Sequence, residues 1–247
     1  RPAELTALAV ARVTGAVAEA LGCMHREWFV HRDVSPNNIL LSADLRAARL
    51  ADFGMARPFL NPPAPLSRDG EVVKLAYRAP ELLAAAAPQH GPPIDQWALG
   101  CVVVEMATRA PAFAAPREPG GGAPSLAAQL RAIGEAVGRP PPGWPSLTQT
   151  AHDAEWVRDA LAGLPPAPAV SACPLAERLA HAPVRGASVT ELATSLLRYE
   201  PERRWTAAEV ADCSFVRGEQ HAEAAKRASP DEGRASAAAK HRRVSVT

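Results

Sequence analysis

Three side chains stand out by type and spacing. Asp33 and Asn38 lie five residues apart in His31-Arg32-Asp33-Val34-Ser35-Pro36-Asn37-Asn38, and Asp52 follows Asp33 by nineteen residues in Asp52-Phe53-Gly54. A carboxylate and a carboxamide at this spacing on a tight loop suit phosphoryl transfer. The Asp33 carboxylate can orient a nucleophilic hydroxyl and take its proton, and the Asn38 carbonyl can ligate a magnesium ion. The alternative is a polar turn between strands, and Ile39-Leu40-Leu41 directly after Asn38 weighs against it.

Such a loop needs elements on both sides to hold it. Residues 4–28 are expected to form one amphipathic helix, with Leu5, Leu8, Val13, Val17, Leu21 and Met24 at helical spacing. Phe29-Val30 is expected to be a short strand. Ile39-Leu40-Leu41 and Arg49-Leu50-Ala51 read as a strand pair joined by Ser42-Ala43-Asp44. Residues 58–72 hold four prolines and no periodicity, which predicts a long functional loop. Further helices are expected over Ile94–Thr108, Ser125–Val137 with Ser125 as cap, Asp153–Leu161, Val189–Leu197 and Ala207–Cys213. Residues 138–187 are otherwise expected to be loop-rich.

The chain has 247 residues and a formal net charge of +1. That length supports a real core without disulfide or metal staples. Near-neutral charge argues against a global nucleic-acid binder. Cys23, Cys101, Cys173 and Cys213 are scattered, with no CxxC pair and no zinc spacing among the histidines, which predicts free thiols in a reducing compartment. The longest uninterrupted apolar run, Leu99 to Val104, is far shorter than the ~20 residues of a membrane helix, so no membrane partner is expected.

Other motifs follow in a fixed order. Ala79-Pro80-Glu81 lies twenty-seven residues beyond Asp52, Asp95-Gln96-Trp97-Ala98-Leu99-Gly100 comes next, and Arg204 sits in Pro201-Glu202-Arg203-Arg204-Trp205. The first loop matches H-R-D-x-x-x-x-N and is followed by D-F-G and A-P-E. The chain therefore resembles the catalytic domain of eukaryotic protein kinases over residues 1–216. The flanks Tyr77-Arg78-Ala79-Pro80-Glu81-Leu82-Leu83 and Pro93-Ile94-Asp95-Gln96-Trp97 resemble the CMGC group, and cyclin-dependent kinases in particular.

The resemblance implies an α+β, protein-kinase-like fold: a mostly helical C-terminal lobe with short β-hairpins at the catalytic loop. It implies ATP and Mg2+ as cofactors. Asp33 is the implied base, and Asn38 and Asp52 the metal ligands. His31, Gly54, Glu81, Asp95 and Arg204 are implied structural residues, with Gly54 letting the chain turn and Glu81 paired to Arg204. Tyr77 and Arg78 are expected at the substrate pocket, Arg78 favouring proline after the target residue. The implied activity is phosphorylation of Ser or Thr in proteins, with a cyclin-like activator possible and a cytoplasmic or nuclear location.

The sequence also departs from the pattern. It contains no G-x-G-x-x-G after a strand and no strand lysine of the V-A-I-K type, and thirty residues precede His31. The N-terminal lobe is therefore expected to be absent. Ser35 stands where such kinases usually carry lysine, and Lys74 where they carry threonine, as though exchanged. Lys74 is expected to reach back and supply the charge that Ser35 cannot; drift in an inactive protein is the alternative. Asp69 falls at the usual phosphorylated threonine, so it is expected to mimic that phosphate weakly, gripped by Arg32 and Arg57. It can equally be a solvated loop carboxylate, with Ser67 a nearby phosphosite. Residues 217–247 are expected to be a disordered polar and basic tail ending in Arg242-Arg243-Val244-Ser245, which resembles a basophilic kinase site and a weak nuclear signal. Two other functions stay open: a pseudokinase or binding module without ATP turnover, and a small-molecule phosphotransferase sharing H-x-D-x-x-x-x-N.

Overall fold

The computed structural model describes residues 5–60, 74–84, 91–118, 120–144, 155–165 and 173–218. Helix α1 (Ala7–Arg26) starts where Thr6 caps it, its side chain accepting from the Ala9 amide. Val10, Val13, Val17 and Leu21 form its buried face. It is long and apolar enough, by length and composition alone, to cross a membrane. The sequence reading counted uninterrupted apolar runs and did not single this helix out. Here half of its apolar stretch is buried inside the protein.

Strands β1 (Phe29–Val30), β2 (Ile39–Leu41), β3 (Ala48–Leu50) and β4 (Arg57–Pro58) form two antiparallel pairs, β1 with β4 and β2 with β3. Ile39 faces Leu50 in the second pair, and the Ala51 amide donating to the Asn38 carbonyl at 2.9 Å extends it. This short ladder ties the end of the Asp33 loop to the residue before Asp52. The β1–β4 pair closes the other side, with Val30 opposite Arg57. The sequence reading began the long loop at Pro58, the second residue of β4, because two residues with a proline carry no period-2 signal.

Helix α2 (Pro80–Ala84) is a turn and a half that follows the 3-10 turn Leu75–Tyr77. Helix α3 (Pro92–Thr108) is the centre of the lobe. It is apolar on every face and correspondingly buried, from Ile94 to Ala107 with few breaks. Helix α4 (Leu126–Val137) is capped by the Ser125 side chain, as the sequence predicts. Helices α5 (Glu155–Ala160), α6 (Pro174–Ala180), α7 (Ala187–Leu196) and α8 (Ala207–Asp212) follow, α8 started by a Thr206/Glu209 capping box, and residues 214–218 are helical again. Helix α6 was not expected; Pro174 at its first turn is the start signal that the loop-rich reading passed over. The core runs continuously from α1 through α3 to α4, α6, α7 and α8. All four cysteines are free thiols, three of them buried.

Asp69, Ser67 and the Arg242–Ser245 pattern lie outside the described residues, as do most of the 58–72 loop and residues 219–247 of the tail.

Candidate active site

Asp95, in the first turn of α3, builds the catalytic loop. Its carboxylate is buried and accepts from the His31 amide at 2.8 Å, the Arg32 amide at 2.9 Å and His25 Nε2 at 2.9 Å. Three donors on one buried carboxylate fix the loop to the helix. Arg32 adopts a left-handed backbone with φ of 68°, and its side chain is buried. That conformation swings Asp33 outward from the strand β1.

His31 supports the loop from beneath. Its Nδ1 accepts from the Asp33 amide at 3.3 Å, so the ring proton sits on Nε2, which donates to the Ala51 carbonyl at 3.2 Å. One imidazole thus spans the residues leading to both Asp33 and Asp52. The exposed Phe53 ring packs edge-on against it, centroids 5.3 Å apart.

Asn38 closes the loop. Its Nδ2 donates to the Asp33 backbone carbonyl at 2.8 Å and to Asp33 Oδ2 at 2.7 Å. The amide group is thereby oriented, its nitrogen on Asp33 and its oxygen left to accept elsewhere. Lys74 approaches from the other side. Its Nζ donates to Ser35 Oγ at 2.8 Å and lies 3.4 Å from Asp33 Oδ2. The structure brings Asp33, Ser35, Asn38 and Lys74 into one polar cluster.

Asp52 carries the turn itself, in the left-handed region with φ of 65°. This corrects the role given to Gly54, whose φ is not left-handed. Gly54 matters for closeness instead: its amide donates to Asp52 Oδ1 at 3.3 Å, and a Cβ there would meet that oxygen at 3.2 Å. Gly120 and Gly121 do need positive φ, 87° and 85°, to turn the Glu118–Gly122 bridge. No strand–helix phosphate cradle forms around them.

Glu81 and Arg204 form a bidentate pair at 2.6 and 2.7 Å, with the Arg204 side chain fully buried. Arg204 also donates to the carbonyls of Arg198, Pro93 and Tyr199, which occupies all five of its N–H groups. Its guanidinium lies 5.0 Å over the Trp97 ring.

A chain with these motifs in this order invites comparison. The protein kinase domain model matches residues 3–216. The chain belongs to the protein kinase family. Several of the similar proteins are named as cyclin-dependent kinases. Serine/threonine-protein kinase ppk23 of Schizosaccharomyces pombe is 46% identical over 99 residues, 40% of this chain and 24% of that protein. Cyclin-dependent kinase E-1 of Arabidopsis thaliana is 36% identical over 143 residues, 56% of this chain and 30% of that one. The probable cyclin-dependent kinase 8 of Dictyostelium discoideum is 31% identical over 208 residues, 81% of this chain and 51% of that one. The chain thus spans between a quarter and about half of the length of these relatives.

Within this kinase domain a cleft of about 570 Å³ opens beside Asp33, lined by Met55, Lys74, Leu75, Arg78 and, across it, Ala123–Leu126. Arg78 lines this cleft. Tyr77 is not on the cleft: its hydroxyl donates to Glu105 Oε2 on α3 at 2.6 Å, and burial, then the Glu105 carboxylate, push its pKa well up. Arg57 donates to the Gly54 and Ala56 carbonyls at 3.3 and 2.8 Å. Sequence reasoning missed His25 and Glu105. Glu105, a carboxylate ten residues after Asp95 in an otherwise apolar stretch, is a signal for the second; His25, seventy residues from Asp95, carries none.

Among the described residues no three His, Cys, Asp or Glu side chains gather into a metal-holding group. Mg2+ does not need one, since it keeps several waters and takes one or two protein oxygens beside those of phosphates. The oriented Asn38 carbonyl and the exposed Asp52 carboxylate have that donor chemistry.

Proposed function

We propose that this chain carries the catalytic lobe of a cyclin-dependent-kinase-like enzyme that phosphorylates Ser or Thr in proteins at the expense of ATP. The observation that supports it most is the Asp33 carboxylate. It is held by Asn38 at 2.7 Å, yet its side chain keeps 17% exposure at the mouth of the cleft. A base so placed can take the proton of a substrate hydroxyl. The hydroxyl oxygen bonds to the γ-phosphorus, the bond to the β,γ-bridging oxygen breaks, and that electron pair leaves on ADP. Mg2+, held by Asn38 Oδ1 and Asp52, would neutralise phosphate charge. The lobe is taken as residues 1–216, with 217–247 as a tail and the N-terminal lobe outside this chain. Arg32 and Arg57 are read as anchors for the activation segment around Asp69. Arg78, on the cleft wall, faces the residue after the target, for which proline is the proposed preference. Protein substrates, a cyclin-like activator and a nuclear or cytoplasmic place are part of this reading, and the likeness to proteins named cyclin-dependent kinases supports it.

Thermal denaturation with and without ATP and Mg2+ tests the reading, with Asp52→Asn as control. The expected result is a stabilisation that needs both ligands and vanishes in the variant. A binding module without turnover is the second reading, favoured by a sequence with no G-x-G-x-x-G. It predicts no nucleotide stabilisation in the wild type. The small-molecule phosphotransferase alternative draws no support from the family match.

A further inference from the structure

We propose that Lys74 is the cation that faces the transferring phosphoryl group, and that Ser35 is its positioning residue. This deepens the phosphoryl-transfer reading and rests on it. Ser35 is buried and uncharged, so it supplies no cation to a phosphate. What it offers is a hydroxyl oxygen 2.8 Å from Lys74 Nζ. An ammonium has three N–H donors in a compact, strongly charged head. Ser35 Oγ and Asp33 Oδ2 take two of these directions, at 2.8 and 3.4 Å. The Lys74 side chain nevertheless stays 41% exposed and forms part of the cleft wall beside Asp33. The charge therefore stands next to the base, on the side from which substrate enters, with donor capacity left.

The backbone under Lys74 is anchored away from the catalytic loop. Lys74 precedes the 3-10 turn Leu75–Tyr77, and the Tyr77 amide closes that turn on the Lys74 carbonyl at 2.9 Å. Tyr77 is in turn tied to Glu105 on α3 at 2.6 Å. The base and the phosphate-facing charge thus sit on two different segments, one held by Asp95 and the other by Glu105. Displacing the Leu75–Tyr77 turn removes the charge and leaves the base in place.

Isothermal titration with Mg-ATP and, separately, Mg-ADP tests this on the 247-residue chain. Only the triphosphate carries the group Lys74 would face. Lys74→Met is expected to weaken Mg-ATP binding about tenfold or more, as loss of a charge-assisted contact does. Mg-ADP binding should change less than about twofold, well under the roughly 1.4 kcal/mol of a tenfold step. The double exchange Ser35→Lys with Lys74→Thr should recover most of the lost Mg-ATP affinity, because the cation then returns from the loop side. The inference is overturned if the wild type binds Mg-ATP and Lys74→Met binds it equally well. It is also overturned if Lys74→Met weakens both nucleotides alike, or if the double exchange is no better than Lys74→Met alone. A wild type that binds neither nucleotide fails differently: it removes the ATP reading itself and this inference with it.

Discussion

The polar groups of this kinase domain fall into two regions that handle hydrogen bonds in opposite ways. In the buried frame, Arg204 spends all five N–H groups and Asp95 takes three donors. At the rim, Asp33, Asn38, Asp52 and Lys74 share partners and keep part of their capacity unused. Complete satisfaction in a dry setting holds a group in one place, because every displacement leaves a donor unpaired. Incomplete satisfaction near solvent leaves a group able to bind something else. The frame is where removal should unfold the protein. The rim is where removal should change only what it binds.

Arg204→Met should give the largest effect. It strands the Glu81 carboxylate in a half-buried site and removes the Trp97 contact. Breaking one side of a buried pair costs about 3–5 kcal/mol. For a chain of this size that lowers the melting temperature by roughly 10 °C. A melting temperature within about 2 °C of wild type would break the distinction at its strongest point.

Asp95→Asn comes next. An amide oxygen cannot serve the His31 and Arg32 amides and His25 together, and the new NH2 faces donors. A cost of about 2–3 kcal/mol is expected from charged hydrogen bonds lost in a buried site. Because Asp95 holds the loop that presents Asp33, nucleotide stabilisation should fall as well. Wild-type stability with nucleotide response lost would move Asp95 from the frame to the rim.

The two regions also differed in how legible they were. Asp33, Asn38 and Asp52 lie within one short stretch, where their residue types and the resemblance of their motifs together suggest their chemistry. Lys74 and Ser35 are thirty-nine residues apart, yet each breaks the family pattern in the complementary way, so their contact could be anticipated. The frame was legible only through the resemblance, as with Glu81 and Arg204, which are 123 residues apart. Nothing local announces a pair at that distance. The left-handed turn was assigned to Gly54 because glycine is the usual occupant, whereas Asp52 adopts it and uses its own carboxylate to hold the next turn. Tyr77 and Arg78 were both expected at the pocket from the resemblance of their shared motif; Arg78 lines the cleft and Tyr77 turns to Glu105 instead.

Tyr77→Phe belongs to the frame but should cost less, about 1 kcal/mol for one hydrogen bond. Its pH dependence sharpens the assignment. Burial and Glu105 raise the phenol above its usual 10.0, so the folded state holds the proton more tightly than the unfolded chain does. That contribution is fully present below pH 10 and is lost as pH rises beyond it. The stability difference between wild type and Tyr77→Phe, followed by denaturant titration, should stay flat from pH 6 to 9 and shrink above pH 10. A difference that changes across pH 6 to 9 would mean that another group sets it.

Asp52→Asn should have the smallest effect on the unliganded protein. Asp52 is exposed, and among the described residues its carboxylate accepts only the long 3.3 Å bond from Gly54. An asparagine keeps an oxygen for that bond and tolerates the left-handed backbone at least as well. The melting temperature without ligand should therefore shift by no more than about 0.5 kcal/mol allows, the usual range for surface changes. The same substitution removes the charge that would meet Mg2+, so stabilisation by Mg-ATP should disappear. The pairing of these outcomes carries the argument. A carboxylate that matters for binding and not for folding sits in the right place for chemistry. If Asp52→Asn instead destabilised the unliganded protein as Asp95→Asn does, the rim would be one more part of the frame.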